Sequence, residues 1–168
     1  MTINPPPYSP EDESFHYIGN EHGRRVNRLI HIRTLQWLAE AFPNHVRRSI
    51  ERLNRLDEIV AGFPIELDAE KLSKPVPIGP PPPVFLCRFP ERSPDYIMVD
   101  GSHRLARAHI YGVAELSAIS FPTQVWVMAG VAPVLGDQDP SKGSNYTTRS
   151  IHKPNDLRKL LDLSQNIT

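Results

Sequence analysis

One cysteine, Cys87, occurs in 168 residues, so no intramolecular disulfide can form and no cysteine-based zinc site can be assembled. It follows Val84, Phe85 and Leu86, and reads as a buried packing residue of a strand. No stretch approaches the ~20 apolar residues that a membrane-crossing helix needs. The polar, proline-rich start also lacks the build of a signal peptide, so the expectation is a cytoplasmic protein with no membrane partner. Neither sign of charge is in excess: 19 Lys and Arg stand against 19 Asp and Glu. That leaves no global field to draw the chain to nucleic acid or anionic lipid, and any DNA contact has to be local. Metal motifs are missing too. His16, His22, His31, His45, His109 and His152 are scattered, without HExxH spacing or partner cysteines. Lys142, Gly143 and Ser144 lack the first glycine and the spacing of a Walker loop.

What the chain has in plenty is proline: 18 residues, twice the usual share of about 5%. Loops and extended pieces should therefore be common. The length suits one domain with an appended segment and is enough to bury a real core. Residues 1–22, with Pro5-Pro6-Pro7 and acidic Glu11, Asp12 and Glu13, read as a flexible N-terminal arm. Residues 23–128 read as the domain. Its first part has a helical pattern from Arg24 to Phe42, with Leu29, Ile32, Leu35, Leu38 and Phe42 on one face and Pro43 as the stop. A second helix is expected from an Asn44 cap through Val46, Ile50, Leu53, Leu56 and Val60 to Gly62, which makes a helical hairpin. This second helix carries Arg47, Arg48, Arg52 and Arg55 among Glu51, Asp57 and Glu58, a solvated face by default and a DNA-contacting face as the alternative.

Pro64 to Asp68 alternates like a short strand. Pro75, Pro77 and Pro80 to Pro83 then form a stiff connector. Val84 to Phe89 and Tyr96 to Val99 read as hairpin strands joined by a turn over residues 90–94. Leu116 to Phe121 and Thr123 to Met128 read as further strands. Residues 129–168 read as a C-terminal loop, containing Asp137, Asp139 and Lys142, followed by a short helix from Asp156 to Leu163. The expected fold class is α+β, a compact mixed β-sheet with helices, preceded by the helical hairpin.

The segment richest in chemistry is Tyr96 to Ala108, in which an apolar strand runs through Asp100-Gly101-Ser102-His103-Arg104 into a helix bearing Leu105 and Ala108. A helix that starts at about Ser102 leaves its first N–H groups unpaired and aims the positive end of its dipole at whatever lies over the turn. Gly101 lets the backbone turn, and Ser102 can cap the helix. His103 and Arg104 bring donors to the same spot. Gly112 ends the helix. The bland alternative is scaffolding, with Asp100 and Arg104 paired as a surface ion pair.

Asp100-Gly101-Ser102-His103-Arg104 followed by the LAxA pattern of Leu105 to Ala108 resembles the signature of the ParB/sulfiredoxin superfamily. The resemblance covers about Phe85 to Phe121, with looser agreement back to Pro64. Members carry a strand, a DGxHR-like turn and a helix, and bind a nucleotide's phosphates there. Sulfiredoxins place a catalytic cysteine where this chain has Ser102, which argues against sulfinic-acid repair. Partition proteins usually have an acidic residue and a second arginine in the turn. What remains is similar to the branch with free-serine kinases and small ATPase or ParB-like nuclease proteins of plasmids and phages.

The resemblance implies a nucleotide-binding protein that hydrolyses ATP or transfers its phosphate, with nuclease activity as a close relative. ATP, or a related nucleotide, with Mg²⁺ is the implied cofactor set. Asp100, Gly101, Ser102, His103 and Arg104 would line the phosphates. Arg104 is the first candidate for a clamp, because a guanidinium holds two oxygens at once. His103 can donate to a phosphate or move a proton, and Asp100 either holds Mg²⁺ or orients Arg104. Kinases of the superfamily take a general base from before the motif, and Glu66 is the choice by order along the chain; its bland reading is an exposed strand residue. Two alternatives stand beside this one: a non-enzymatic DNA-binding, partition-like module, and a plasmid or phage effector. The sequence is compatible with a homodimer, although no heptad pattern demands one.

Overall fold

The computed structural model of the chain describes residues 5–7, 9, 11–21, 23–63, 67–75 and 78–131. In chain order the elements begin with strands β1 (Ser14–Glu21) and β2 (Arg24–His31), helix α1 (Ile32–Ala41), a 3-10 turn (Pro43–His45) and strand β3 (Arg47–Arg52). Helices α2 (Leu53–Gly62) and α3 (Ala69–Ser73) follow, then strands β4 (Val84–Arg88) and β5 (Tyr96–Asp100), helix α4 (Ser102–Ile110) and strand β6 (Glu115–Phe121). Helix α5 (Thr123–Trp126), a 3-10 turn (Val127–Ala129) and strand β7 (Gly130–Val131) complete the described part. The fold is α+β, with two sheets rather than one. The elements fall into two compact units, one of Arg47–Phe121 and one of the described residues before and after it. The stretch 23–128 therefore spans parts of both.

The unit Arg47–Phe121 is built on a four-stranded sheet in the order β3-β6-β4-β5. β3 runs antiparallel to β6, β6 parallel to β4, and β4 antiparallel to β5. On one face Val84, Leu86, Met98, Leu116 and Ala118 form a core with Leu53, Leu56 and Ile59 of α2 and Leu105 and Ala108 of α4. The helical spacing of those residues is why the two helices lie on the sheet, and each large side chain so buried stabilises the fold by roughly 1.5–3 kcal/mol relative to exposure. β4 is buried from Val84 through Cys87, so the central strand reads as a continuous apolar run rather than an alternating one.

The second unit carries a three-stranded sheet, β1-β2-β7. β1 and β2 are an antiparallel hairpin in register from Ser14↔His31 to Glu21↔Arg24. Its buried residues include Phe15, Tyr17, Ile30, Leu35, Leu38 and Trp126, and the Arg28 guanidinium lies 5.5 Å from the Trp126 ring centroid.

Several expectations need correction. Residues 14–21, assigned to the flexible arm, are strand β1. The helix expected over Arg24 to Phe42 is a strand in its first part and a helix only from Ile32. Pairing with the alternating Phe15 and Tyr17 outweighs the coincidental helical spacing of Leu29 with Ile32. The second expected helix likewise splits. Asn44 sits in the 3-10 turn, Arg47–Arg52 is strand β3, and the helix starts at Leu53. A strand thus separates α1 from α2, and the two helices belong to different units. Thr123 to Met128 is a short helix and a 3-10 turn instead of a strand, the usual ambiguity of a short apolar run. Asp68 is the cap of a helix, α3, that the sequence reading missed. The hairpin β4/β5 and strand β6 lie where they were expected. Pro64, Ile65, Glu66 and residues 132–168, including the helix read at 156–163, lie outside the described residues.

Candidate functional site

β5 ends at Asp100, Gly101 turns the chain at φ 112° and ψ 8°, and α4 begins at Ser102. The first helical bond runs from the Leu105 N–H to the Gly101 carbonyl at 2.9 Å. The amides of Ser102, His103 and Arg104 therefore precede the helical ladder, and the positive end of the helix dipole opens at this turn. A Cβ at position 101 would lie 2.5 Å and 2.7 Å from Val84 Cγ1 and Cβ and 3.1 Å from Arg104 Nη1. Both the left-handed backbone and the packing on β4 thus demand glycine. Ser102 is not the cap. Gly101 occupies that position, no side chain caps it, and the Ser102 hydroxyl lies against Met98 Sδ at 4.0 Å. The helix stops where expected, with Gly112 at φ 68° just past it.

Arg104 is anchored at both ends of its fork. Nη1 donates to the Pro83 carbonyl at 2.8 Å and Nη2 to Asp100 Oδ2 at 3.0 Å. The pair is shielded, with side-chain exposures of 22% for Arg104 and 10% for Asp100. Arg104 therefore ties the end of the proline connector and the end of β5 to the first turn of α4. These bonds engage two of the five N–H donors that a guanidinium carries. In this structure Asp100 holds Arg104 through Oδ2. Among the described residues no cluster of three or more His, Cys, Asp or Glu is placed to hold an ion.

His103 points elsewhere. Its Nε2 accepts the Asp68 N–H at 2.8 Å, which places the ring proton on Nδ1 in the neutral imidazole. Asp68 in turn caps α3 by accepting from the Glu70 and Lys71 amides at 2.9 and 3.5 Å. Arg107 donates to the Lys71 carbonyl from the next turn of α4. His103 and Arg107 thus clip α3 onto α4. The structure brings Asp100, Gly101 and Arg104 together and turns His103 onto α3, whereas Glu66 lies outside the described residues.

Arg104, Arg107, Ala108 and Tyr111 follow one face of α4 at helical spacing. With Pro80 to Pro82, Glu115, Leu116 and Ser117 they line a groove. The groove holds about 510 Å³, within the usual range of roughly 300–1,000 Å³ for small-ligand sites. Tyr111, 66% exposed, and Arg107 were missed as site residues. The signal that would have found them is the i, i+3, i+4, i+7 stripe that starts at Arg104.

Cys87 is fully buried, and burial pushes its thiol well above the usual 9.0. It is a packing residue without thiolate chemistry. The arginine stripe is redistributed: Arg47, Arg48 and Arg52 are exposed on strand β3, while Arg55 on α2 holds Glu51 at 3.0 Å. His109 pairs with Asp57 at 2.7 Å on the surface. No described helix is long and apolar enough to cross a membrane.

Comparisons with protein-family models, with curated proteins and with solved structures give no match for this chain.

Proposed function

We propose that the chain is a nucleotide-binding protein of ParB/sulfiredoxin-like kind. It holds the phosphates of ATP or a related nucleotide over the Gly101–Arg104 turn, and hydrolysis or transfer of the terminal phosphate is its reaction. The observation that carries this reading is the groove of about 510 Å³ that begins at Arg104 beside the first turn of α4. Its lining includes the guanidinium groups of Arg104 and Arg107, which phosphate oxygens seek, and the free amides of the Gly101–Arg104 turn lie at the start of the same helix. The same lining includes Tyr111 and Pro80 to Pro82, an apolar lodging for a nucleoside.

In phosphoryl transfer the protein's part is chiefly positioning and charge neutralisation. Arg104 is prepositioned by Asp100 and Pro83, so little rotamer freedom is lost when it meets a phosphate. His103 in this arrangement supports the site by docking α3, and no proton-transfer role rests on it.

The test is calorimetric titration with ATP, ADP and CTP in the presence of Mg²⁺, run on the wild type, Arg104→Ala and Tyr111→Ala, with urea unfolding to confirm that the variants fold. Saturable binding that weakens at least tenfold in both variants is expected. A folded wild type that gives no binding heat with any of the nucleotides contradicts the reading.

A further inference from the structure

β3 is an edge strand: among the described residues it pairs on one side only, with β6. Its faces differ sharply. Ser49 and Glu51 point to the face occupied by α2, where Glu51 is buried and held by Ser49 at 2.9 Å and by Arg55. Strand alternation then puts Arg48, Ile50 and Arg52 together on the other face. All are exposed, and Ile50 is 70% open to solvent. Edge strands commonly carry charge to discourage pairing. A large aliphatic residue at the centre of such an edge works against that purpose. Beside Ile50 and Arg48 lies a hollow of about 360 Å³ bounded by Pro83 and Ser117.

We infer that β3 is a docking edge for an extended acidic peptide, which adds as a further strand and presents the alternation acidic–x–aliphatic–x–acidic. Backbone hydrogen bonds would supply the generic part of the affinity. Directly opposed cross-strand pairs supply the rest: carboxylates face Arg48 and Arg52, and the aliphatic residue covers Ile50. Arg47 adds positive charge at the strand's start. Glu115, the register partner of Arg52 on β6, offsets part of that charge, so Arg48 is the stronger of the two anchors. A second copy of this chain is a poor occupant, because antiparallel self-pairing centred on Ile50 would set Arg48 against the partner's Arg52. A nucleic-acid backbone would use the arginines but leaves Ile50 and its hollow without a purpose.

The test uses the full chain and a fluorescein-labelled peptide with the core Glu-Thr-Val-Thr-Glu, read by polarisation. A composition-matched peptide with the core Glu-Glu-Thr-Thr-Val and a labelled dT20 are the comparisons. Saturable binding of the alternating peptide, at least tenfold tighter than the rearranged one, is expected. The Arg48→Glu/Arg52→Glu variant should lose at least tenfold for that peptide and gain at least tenfold for its Lys-Thr-Val-Thr-Lys counterpart. Equal circular dichroism and melting curves would show that the exposed substitutions leave the fold intact. Equal binding of both acidic peptides, no binding of either, or tighter binding of dT20 that vanishes with salt would each overturn the inference, the last in favour of a nucleic-acid surface.

Discussion

Two strand-to-helix junctions in this protein, β2–α1 and β5–α4, solve the same problem in opposite ways. At β2–α1 the chain passes from strand to helix through His31, which keeps ordinary extended backbone at φ −81°. The imidazole is fully buried. Its Nδ1 lies 2.7 Å from the Thr34 hydroxyl and its Nε2 2.9 Å from Asp12. At β5–α4 the passage requires glycine in left-handed backbone, and the lock is the half-shielded Asp100–Arg104–Pro83 set beside a groove. Both junctions present the start of a helix, so a helix start alone does not make a site. What separates them is access: both spend polar groups on their own lock, but His31 is fully buried whereas Arg104 stays partly exposed and lines a groove.

The backbone at Gly101 is the part of this contrast most sensitive to substitution. Gly101→Val forces a β-branched residue into left-handed backbone and into Val84, and should destabilise by about 4 kcal/mol, read by urea unfolding. A loss under 1 kcal/mol would mean that the turn can relax and that its shape is not dictated by packing. Next, His31→Ala removes the partner of a buried hydroxyl and should cost about 2–3 kcal/mol. Its effect on nucleotide binding should be nil, and weakened binding would dissolve the distinction between the junctions. Arg104→Ala should cost about 1–2 kcal/mol in stability, since the ion pair is shielded but not fully buried, and should cost binding as well.

The smallest effect is one of pH. The hydrogen bond from His31 holds the Asp12 carboxyl below its usual 3.8. Because the folded value is the lower one, this contact stabilises the fold above the usual value, and the stabilisation fades as pH falls through that range. Asp12→Asn should therefore be less stable than wild type at neutral pH, with the gap closing below about pH 4. Urea midpoints from pH 2 to 6 would check it, and a gap that persists at pH 2 would assign the effect to something other than the carboxylate.

The second of these junctions was legible in the sequence and the first was not, for physical reasons. Around Gly101 every signal agreed: an apolar strand, a glycine where the backbone turns, then Leu105 and Ala108 at helical spacing. Around His31 the local signals conflicted, because Leu29 and Ile32 mimic a helical face while Phe15 and Tyr17, more distant in sequence, recruit Arg24–His31 as a strand. The same happened at Ile50, which fits a helical stripe on paper but sits exposed on β3 because β6 claims that segment. Long-range pairing decided both cases. The site's chemistry was legible only by residue type. Arg104 could be named, but its anchoring by Pro83, across a proline connector, is a tertiary fact, as is the turning of His103 onto Asp68.

The most direct measurement is a ¹⁵N–¹H correlation spectrum of the labelled 19.0 kDa chain titrated with ATP and Mg²⁺. Saturable shifts are expected at the amides of Gly101, Ser102, His103 and Arg104 and at Tyr111, with the amides of Ile32 to Leu35 unmoved. Unmoved Gly101–Arg104 amides at saturating nucleotide, or shifts confined to the β2–α1 junction, would contradict a phosphate site at the Gly101–Arg104 turn.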